Sequence, residues 1–343
     1  MTGRNSADEM APRRRVVITG ASAGVGRAAA MEFAAQGWCV GLIARGQAGL
    51  EGARADVERA GGTALVLAAD VADAQAVQRA ADDAVAEWGG IDVWINAAMA
   101  TVLAPVEDVT PDEFRRVTEV TYLGQVFGTQ AALRQMKRQG HGTIVSVGSA
   151  LAYRGIPLQA PYCAAKFATR GFLDSLRSEL IHDKSPIRLT AVHLPAVNTP
   201  QFDWARNKMP RRAQPVPPIY QPQAIARALY RAAEDAPREL WLGGSAAKVI
   251  LGDAVAPTRV DQVLADQGYS GQQTDEPAQD RADNLFQPMD ELQDFGAEGR
   301  FDAEARPEVR TYNPAVLRGG AVVGAALVAG AGIAALLEAR RRR

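Results

Sequence analysis

Cysteine and histidine are scarce in this chain of 343 residues: Cys39 and Cys163 are its two cysteines, and His141, His182 and His193 its three histidines. Two cysteines cannot form a disulfide framework, and neither residue type shows the close spacing of a metal site, so the expectation is a reducing compartment and no bound metal. An excess of charge of one sign is also missing. With 38 Lys and Arg against 39 Asp and Glu, the chain offers no basic face for nucleic acid. Residues 1–11 are polar and lead through Arg13, Arg14 and Arg15 into the first apolar run. No apolar core of a secretory signal stands between them, which argues for a cytoplasmic main domain. No internal repeat is evident.

What the chain does have is alternation. Short β-rich runs at 16–19, 40–44, 64–68, 93–96, 143–147, 188–194 and 239–242 are separated by longer Ala-rich amphipathic stretches at 26–36, 49–60, 74–88, 111–138, 162–181 and 223–234. This order is the signature of βαβ units. The near-continuous apolar strands predict a parallel sheet covered on both faces. The fold class is therefore α/β: a doubly wound, Rossmann-type parallel sheet of about seven strands, with ligands at the carboxyl ends of the strands.

The domain plan that follows has a disordered segment over 1–14, an α/β domain over 15–252, and a change of character beyond it. Residues 267–310 are rich in Gln, Asp, Glu, Gly and Pro. They have little apolar surface to offset ordering entropy, so an extended or disordered linker is expected over 253–318, pinned locally by Leu285, Phe286 and Phe295. Residues 319–337 carry no charged or polar side chain, and a basic tail at 338–343 ends in Arg340 to Arg343. About 19 apolar residues at about 1.5 Å each nearly match a hydrocarbon core, so this stretch is expected to associate with a membrane, as a span or as a helix lying in its surface. Packing on a partner subunit is the alternative.

The strongest motif opens the chain. The run Val16-Val17-Ile18-Thr19 breaks into Gly20-Ala21-Ser22-Ala23-Gly24-Val25-Gly26 and resumes as a helix pattern. Glycines placed so allow a tight turn and close approach of backbone to a phosphate at a helix N-terminus. Ser149 and Tyr162-x-x-x-Lys166 follow. Tyr162 and Lys166 fall on one helix face. With the Gly-x-x-x-Gly-x-Gly spacing, these residues resemble the short-chain dehydrogenase/reductase family over about Arg15 to Leu242. Asp70-Val71 matches the family's adenine-contacting pair. Asn96-Ala97-Ala98-Met99 matches its Asn-Asn-Ala-Gly block, and Pro195 to Thr199 matches the segment that holds the nicotinamide carboxamide.

The resemblance implies a nicotinamide cofactor held by Gly20, Ser22, Gly24, Gly26, Arg45, Asp70, Val71, Asn96, Tyr162, Lys166, Val197 and Thr199. It further implies catalysis by Ser149, Tyr162 and Lys166, and a homo-oligomer joined through helices 111–138 and 162–181. Between the two cofactors NADP is favoured over NAD, because Arg45 at the end of the second strand can fork onto a 2′-phosphate and no acid stands there before Glu51.

The chemistry expected is exchange between a carbonyl and an alcohol. Free Tyr is a poor base at neutrality, and a neighbouring Lys166 ammonium would favour its phenolate. Ser149 would orient the substrate oxygen. The Pro-rich cover 199–218, with Phe202, Trp204 and Met209, suggests a small apolar carbonyl or alcohol. The chain departs from the family at Thr121, where an Asn commonly holds a water, and at Ala97 and Met99. Two other readings stay open: a nucleotide-binding scaffold or sensor with little turnover, and an epimerase or dehydratase of the same family.

Overall fold

The structure is a computed structural model that describes residues 13–316. Its centre is an eight-stranded sheet of β1 (Arg15–Thr19), β2 (Cys39–Ala44), β3 (Thr63–Ala68), β4 (Val93–Asn96), β5 (Thr143–Ser149), β6 (Arg188–Leu194), β7 (Glu239–Leu242) and β8 (Thr311–Tyr312), in the spatial order β8-β7-β6-β5-β4-β1-β2-β3. Every neighbouring pair is parallel except β7 with β8. Strand β1 lies between β2 and β4, so the winding reverses there and a crevice opens at the carboxyl ends of β1 and β4.

Helices α1 (Gly24–Ala35), α2 (Gln47–Arg59), α3 (Ala74–Trp88), α4 (Pro111–Thr118), α5 (Gly124–Gln139), α6 (Ala160–His182) and α7 (Pro222–Asp235) follow the strands. The faces of α1, α2 and α7 bury one side of the sheet; those of α3, α5 and α6 bury the other. The alanines of α1 and α7 let those two helices approach closely. Phe33, Trp38 and Tyr230 lock their far end through edge-to-face rings with centroids 4.9 to 6.2 Å apart.

Three expectations change. The single helix expected at 111–138 is interrupted by a π-helical turn, Glu119–Leu123, which divides α4 from α5. Arg13 and Arg14, assigned to a disordered start, are engaged: Arg13 donates to Thr63, and Arg14 pairs with Glu234 and stacks 3.9 Å over Trp38. The largest correction concerns the linker. Helices α8 (Gly244–Val255) and α9 (Pro257–Ser270) continue from β7, and a strand Gln273–Pro277 pairs with Arg211–Ala213. The chain then crosses the top of the sheet and returns as the edge strand β8. Its order comes largely from polar contacts, backbone carbonyls that accept from the domain and ion pairs such as Arg206–Asp283, which a count of apolar side chains does not register. Among the described residues no helix is long and apolar enough to cross a membrane; the apolar stretch 319–337 and the basic tail lie outside them.

Candidate active site and dinucleotide groove

The glycine turn sits over the crevice. Gly20 has φ of +70°, and a Cβ there would come within 2.7 Å of the Ala98 backbone; at Gly26 a Cβ would collide with the Gly20 carbonyl oxygen. Only glycine allows the chain to fold back so tightly, and the result is the N-terminus of α1 facing the groove. Beneath it, the Thr19 hydroxyl accepts hydrogen bonds from the amides of Ala97 (3.0 Å) and Ala98 (3.2 Å), tying β1 to the end of β4.

Asn96 is fully buried and serves the scaffold. It accepts from Trp94 Nε1 (2.8 Å) and donates to Thr129 (3.0 Å), so its amide acts inside the sheet, one layer below the groove. Thr121 lies on the π-helical turn, and its hydroxyl closes on the backbone of Ala100, accepting from the amide at 2.9 Å and donating to the carbonyl at 2.8 Å. It braces the strand end.

Strand β5 delivers Ser149, and α6 delivers Tyr162 and Lys166 one turn apart. Lys166 Nζ donates to the Val147 carbonyl (2.8 Å) and stands 5.5 Å from the Tyr162 ring centre. Burial holds the Lys166 ammonium down to about 7. Burial also pushes the Tyr162 phenol above its ordinary range, while a hydrogen bond with Ser149 acts in the opposite sense. The three side chains therefore meet at the carboxyl end of the sheet.

Several residues missed by sequence reasoning support them. Behind Ser149, its carbonyl meets His193 Nδ1 (3.1 Å), and His193 Nε2 lies 3.5 Å from Glu239, which accepts from the Tyr153 hydroxyl. Burial first, then Glu239, pushes the Tyr153 phenol up to about 12. At the start of α6, Gln159 donates to Gln272 (2.7 Å), which donates to the Pro157 carbonyl (2.9 Å). Residue 272, from the supposed linker, thus holds the loop that carries Tyr162 into place.

The remaining predicted residues line one groove. Arg45 lies at the end of β2, Ser22 is buried beside Gly49, and Asp70 pairs with Arg116 (2.6 Å) above the buried Val71. On the opposite side, Val197 pairs with Tyr220, and the Thr199 side chain closes on Gly24. The N-termini of α1 and α2, a glycine cradle and a guanidinium at the end of β2 suit an anionic dinucleotide. Phe202 and Trp204, expected to line an apolar substrate site, instead pack edge-to-face on Phe301 and Phe295.

With this geometry in place, comparison with known proteins is decisive. Residues 14–210 match the model of the short chain dehydrogenase family. The chain is a short-chain dehydrogenase. It is similar to an uncharacterized oxidoreductase, YxnA, of Bacillus subtilis (strain 168), at 30% identity over 275 residues, 79% of this chain and 77% of that protein. A 3-dehydrosphinganine reductase of Danio rerio is 30% identical over 220 residues, 62% of this chain and 66% of that one. A solved structure from Sinorhizobium meliloti, provisionally described as a short-chain alcohol dehydrogenase, matches with a TM-score of 0.50 at 34% identity, covering 52% of this chain and 71% of that chain. The short-chain dehydrogenase is thus an oxidoreductase that uses a nicotinamide dinucleotide.

Proposed function

We propose that this short-chain dehydrogenase interconverts a carbonyl and an alcohol with NADP(H), using Tyr162 as the acid and base. When bound, the nicotinamide ring supplies or accepts the hydride. The observation that carries the reading is the convergence of Ser149, Tyr162 and Lys166 at the end of the groove. In the reducing direction Tyr162 donates its phenolic proton to the substrate oxygen; in the oxidising direction it takes that proton back. Ser149 donates to the same oxygen and fixes its position. Lys166 lies beside the Tyr162 ring, where its ammonium stabilises the phenolate left after proton transfer.

Arg45 supports the choice of NADP, since its guanidinium would meet a 2′-phosphate at the N-terminus of α2. The expectation of an apolar substrate keeps only Met209 of the cover segment behind it, because Phe202 and Trp204 pack on Phe301 and Phe295. We also propose a homo-oligomer, on the exposed Phe114, Phe167 and Ile181 of α4 and α6. Membrane attachment through 319–337 is proposed from composition; a full-length chain that stays soluble on cell fractionation would exclude it.

The acid/base role is tested by Tyr162→Phe, which keeps the ring and removes the transferable proton. Turnover of a ketone panel with NADPH is expected to fall by at least about 100-fold while cofactor binding persists. Turnover near that of the parent would rule the role out.

A further inference from the structure

The dinucleotide groove already holds a ligand, and it is part of the chain. We propose that residues 284–302 are an intramolecular peptide occupant of this groove, which copies the cofactor's polar contacts and must leave before NAD or NADP binds. The proposal rests on the family's dinucleotide groove and not on the role given to Tyr162.

The segment follows the course a dinucleotide would take. At the adenine end, Leu285 is fully buried in the cluster that includes Val71, and its carbonyl accepts from Arg116 Nε (3.0 Å), the residue that also binds Asp70. Arg45, the residue expected to read a 2′-phosphate, instead donates to the carbonyls of Asn284 (2.6 Å) and Phe286 (3.0 Å). At the N-terminus of α2, the first three amides are all taken: Gln47 by the Glu291 carboxylate (3.2 Å), Ala48 by the Glu291 carbonyl (3.3 Å) and Gly49 by the Asp290 carbonyl (3.0 Å). The Asp290 side chain is buried against Gly46 and Gly49. Two carboxylates therefore bring negative charge to the helix end where a 2′-phosphate would carry it.

At the glycine turn, the Gly24 amide donates to the Gly296 carbonyl (3.1 Å), and Arg27 on α1 pairs with Asp294. At the nicotinamide end, Asn198 accepts from the Phe301 amide (3.0 Å) and donates to Asp302 (2.7 Å). Adenine side, 2′-phosphate position, pyrophosphate turn and carboxamide segment are thus each met by an atom of the strap. Peptide and cofactor cannot share these donors, so their binding is competitive and apparent cofactor affinity scales with the fraction of open groove.

Gly296 offers a clean lever. It has φ of +71°, and nothing lies within 4 Å of the position a Cβ would take, so Gly296→Val strains only the docked strap and leaves the groove beneath untouched. A left-handed β-branched residue shifts the docking equilibrium by about tenfold. Asp294→Ala, which leaves Arg27 its partner Asp56, is the second variant. Both are made in the full chain and titrated without a carbonyl or alcohol substrate, so that no turnover enters the measurement and a failed acid/base role for Tyr162 cannot alter it. NADPH and NADH are titrated by calorimetry, and amide exchange of 284–302 is followed by mass spectrometry. Each variant is expected to bind both cofactors about tenfold more tightly than the parent, and saturating NADPH to raise exchange across 284–302 in the parent. Unchanged or weaker affinity in both variants, or protection of 284–302 that persists or increases at saturation, would overturn the proposal.

Discussion

Replacing Glu113 with Gln removes one charge from the junction between α4 and the segment that carries Arg206 and Lys208. The Glu113 side chain is almost fully buried, pairs with Arg206 (2.9 Å) and Lys208 (2.7 Å), and accepts from the Thr110 amide (2.8 Å) in a capping box. Burial would raise its pKa, yet Lys208, the Thr110 amide and Arg206 together hold the carboxyl at about 2, against an ordinary 4.5. That difference corresponds to about 3 kcal/mol of stability at neutral pH. The sign follows from proton counting. Below 4.5 the unfolded chain takes up a proton that the folded chain still refuses, so the contribution is complete above 4.5 and is lost as pH falls toward 2. Gln keeps the size and a carbonyl for the cap but leaves two cations facing a neutral amide. In urea titrations followed by tryptophan fluorescence, Glu113→Gln should lie about 3 kcal/mol below the parent at pH 6.5, and the gap should shrink to less than half at pH 3. A gap equal at both pH values would refute the electrostatic account, and a gap below about 0.5 kcal/mol at pH 6.5 would refute the ion cluster itself.

Three further outcomes are expected. Gly26→Ala places a methyl against the Gly20 carbonyl, so it should destabilise the fold by about 3 kcal/mol and weaken both cofactors; an unchanged melting temperature would contradict the geometry. Arg45→Asp should lower the ratio of NADP(H) to NAD(H) affinity by at least about tenfold, the strap cancelling because it competes with both; an unchanged ratio would remove Arg45 from cofactor selection. Light scattering on the full chain in mild detergent should give at least a dimer, and a strict monomer at micromolar concentration would sink the interface reading of α4 and α6.

Much of the site was legible because its demands are local. A turn that excludes any Cβ has to be written in glycine, as at Gly20 and Gly26, and the proposed proton donor, Tyr162, stands four residues before Lys166 on one helix. The π-helical turn at Glu119–Leu123 was not legible, since one extra residue per turn changes which side chains face inward without changing the apolar composition. Nor was the edge strand Thr311–Tyr312, whose two residues show no alternation that could mark a strand. Asn96 was legible from its block, read as one that braces the sheet under the cofactor: its partners are Trp94 and Thr129 beneath the groove.

The strap was hidden for a more instructive reason. Composition arguments weigh side chains, and residues 284–302 contribute few apolar ones beyond Leu285, Phe286, Phe295 and Phe301. What docks the segment is mostly backbone: carbonyls of residues 284, 285, 286, 290, 291 and 296 satisfy guanidinium groups and helix amides of the groove. Any sequence supplies carbonyls, so no pattern announces them. A groove built to cradle phosphate oxygens presents unpaired N–H groups at the ends of α1 and α2, and those donors have to find acceptors in the folded chain. The features that make the crevice suitable for a dinucleotide therefore make it suitable for an acidic, glycine-containing peptide. This short-chain dehydrogenase carries such a peptide within reach, anchored behind by β8 at the sheet edge and in front by the strand Gln273–Pro277.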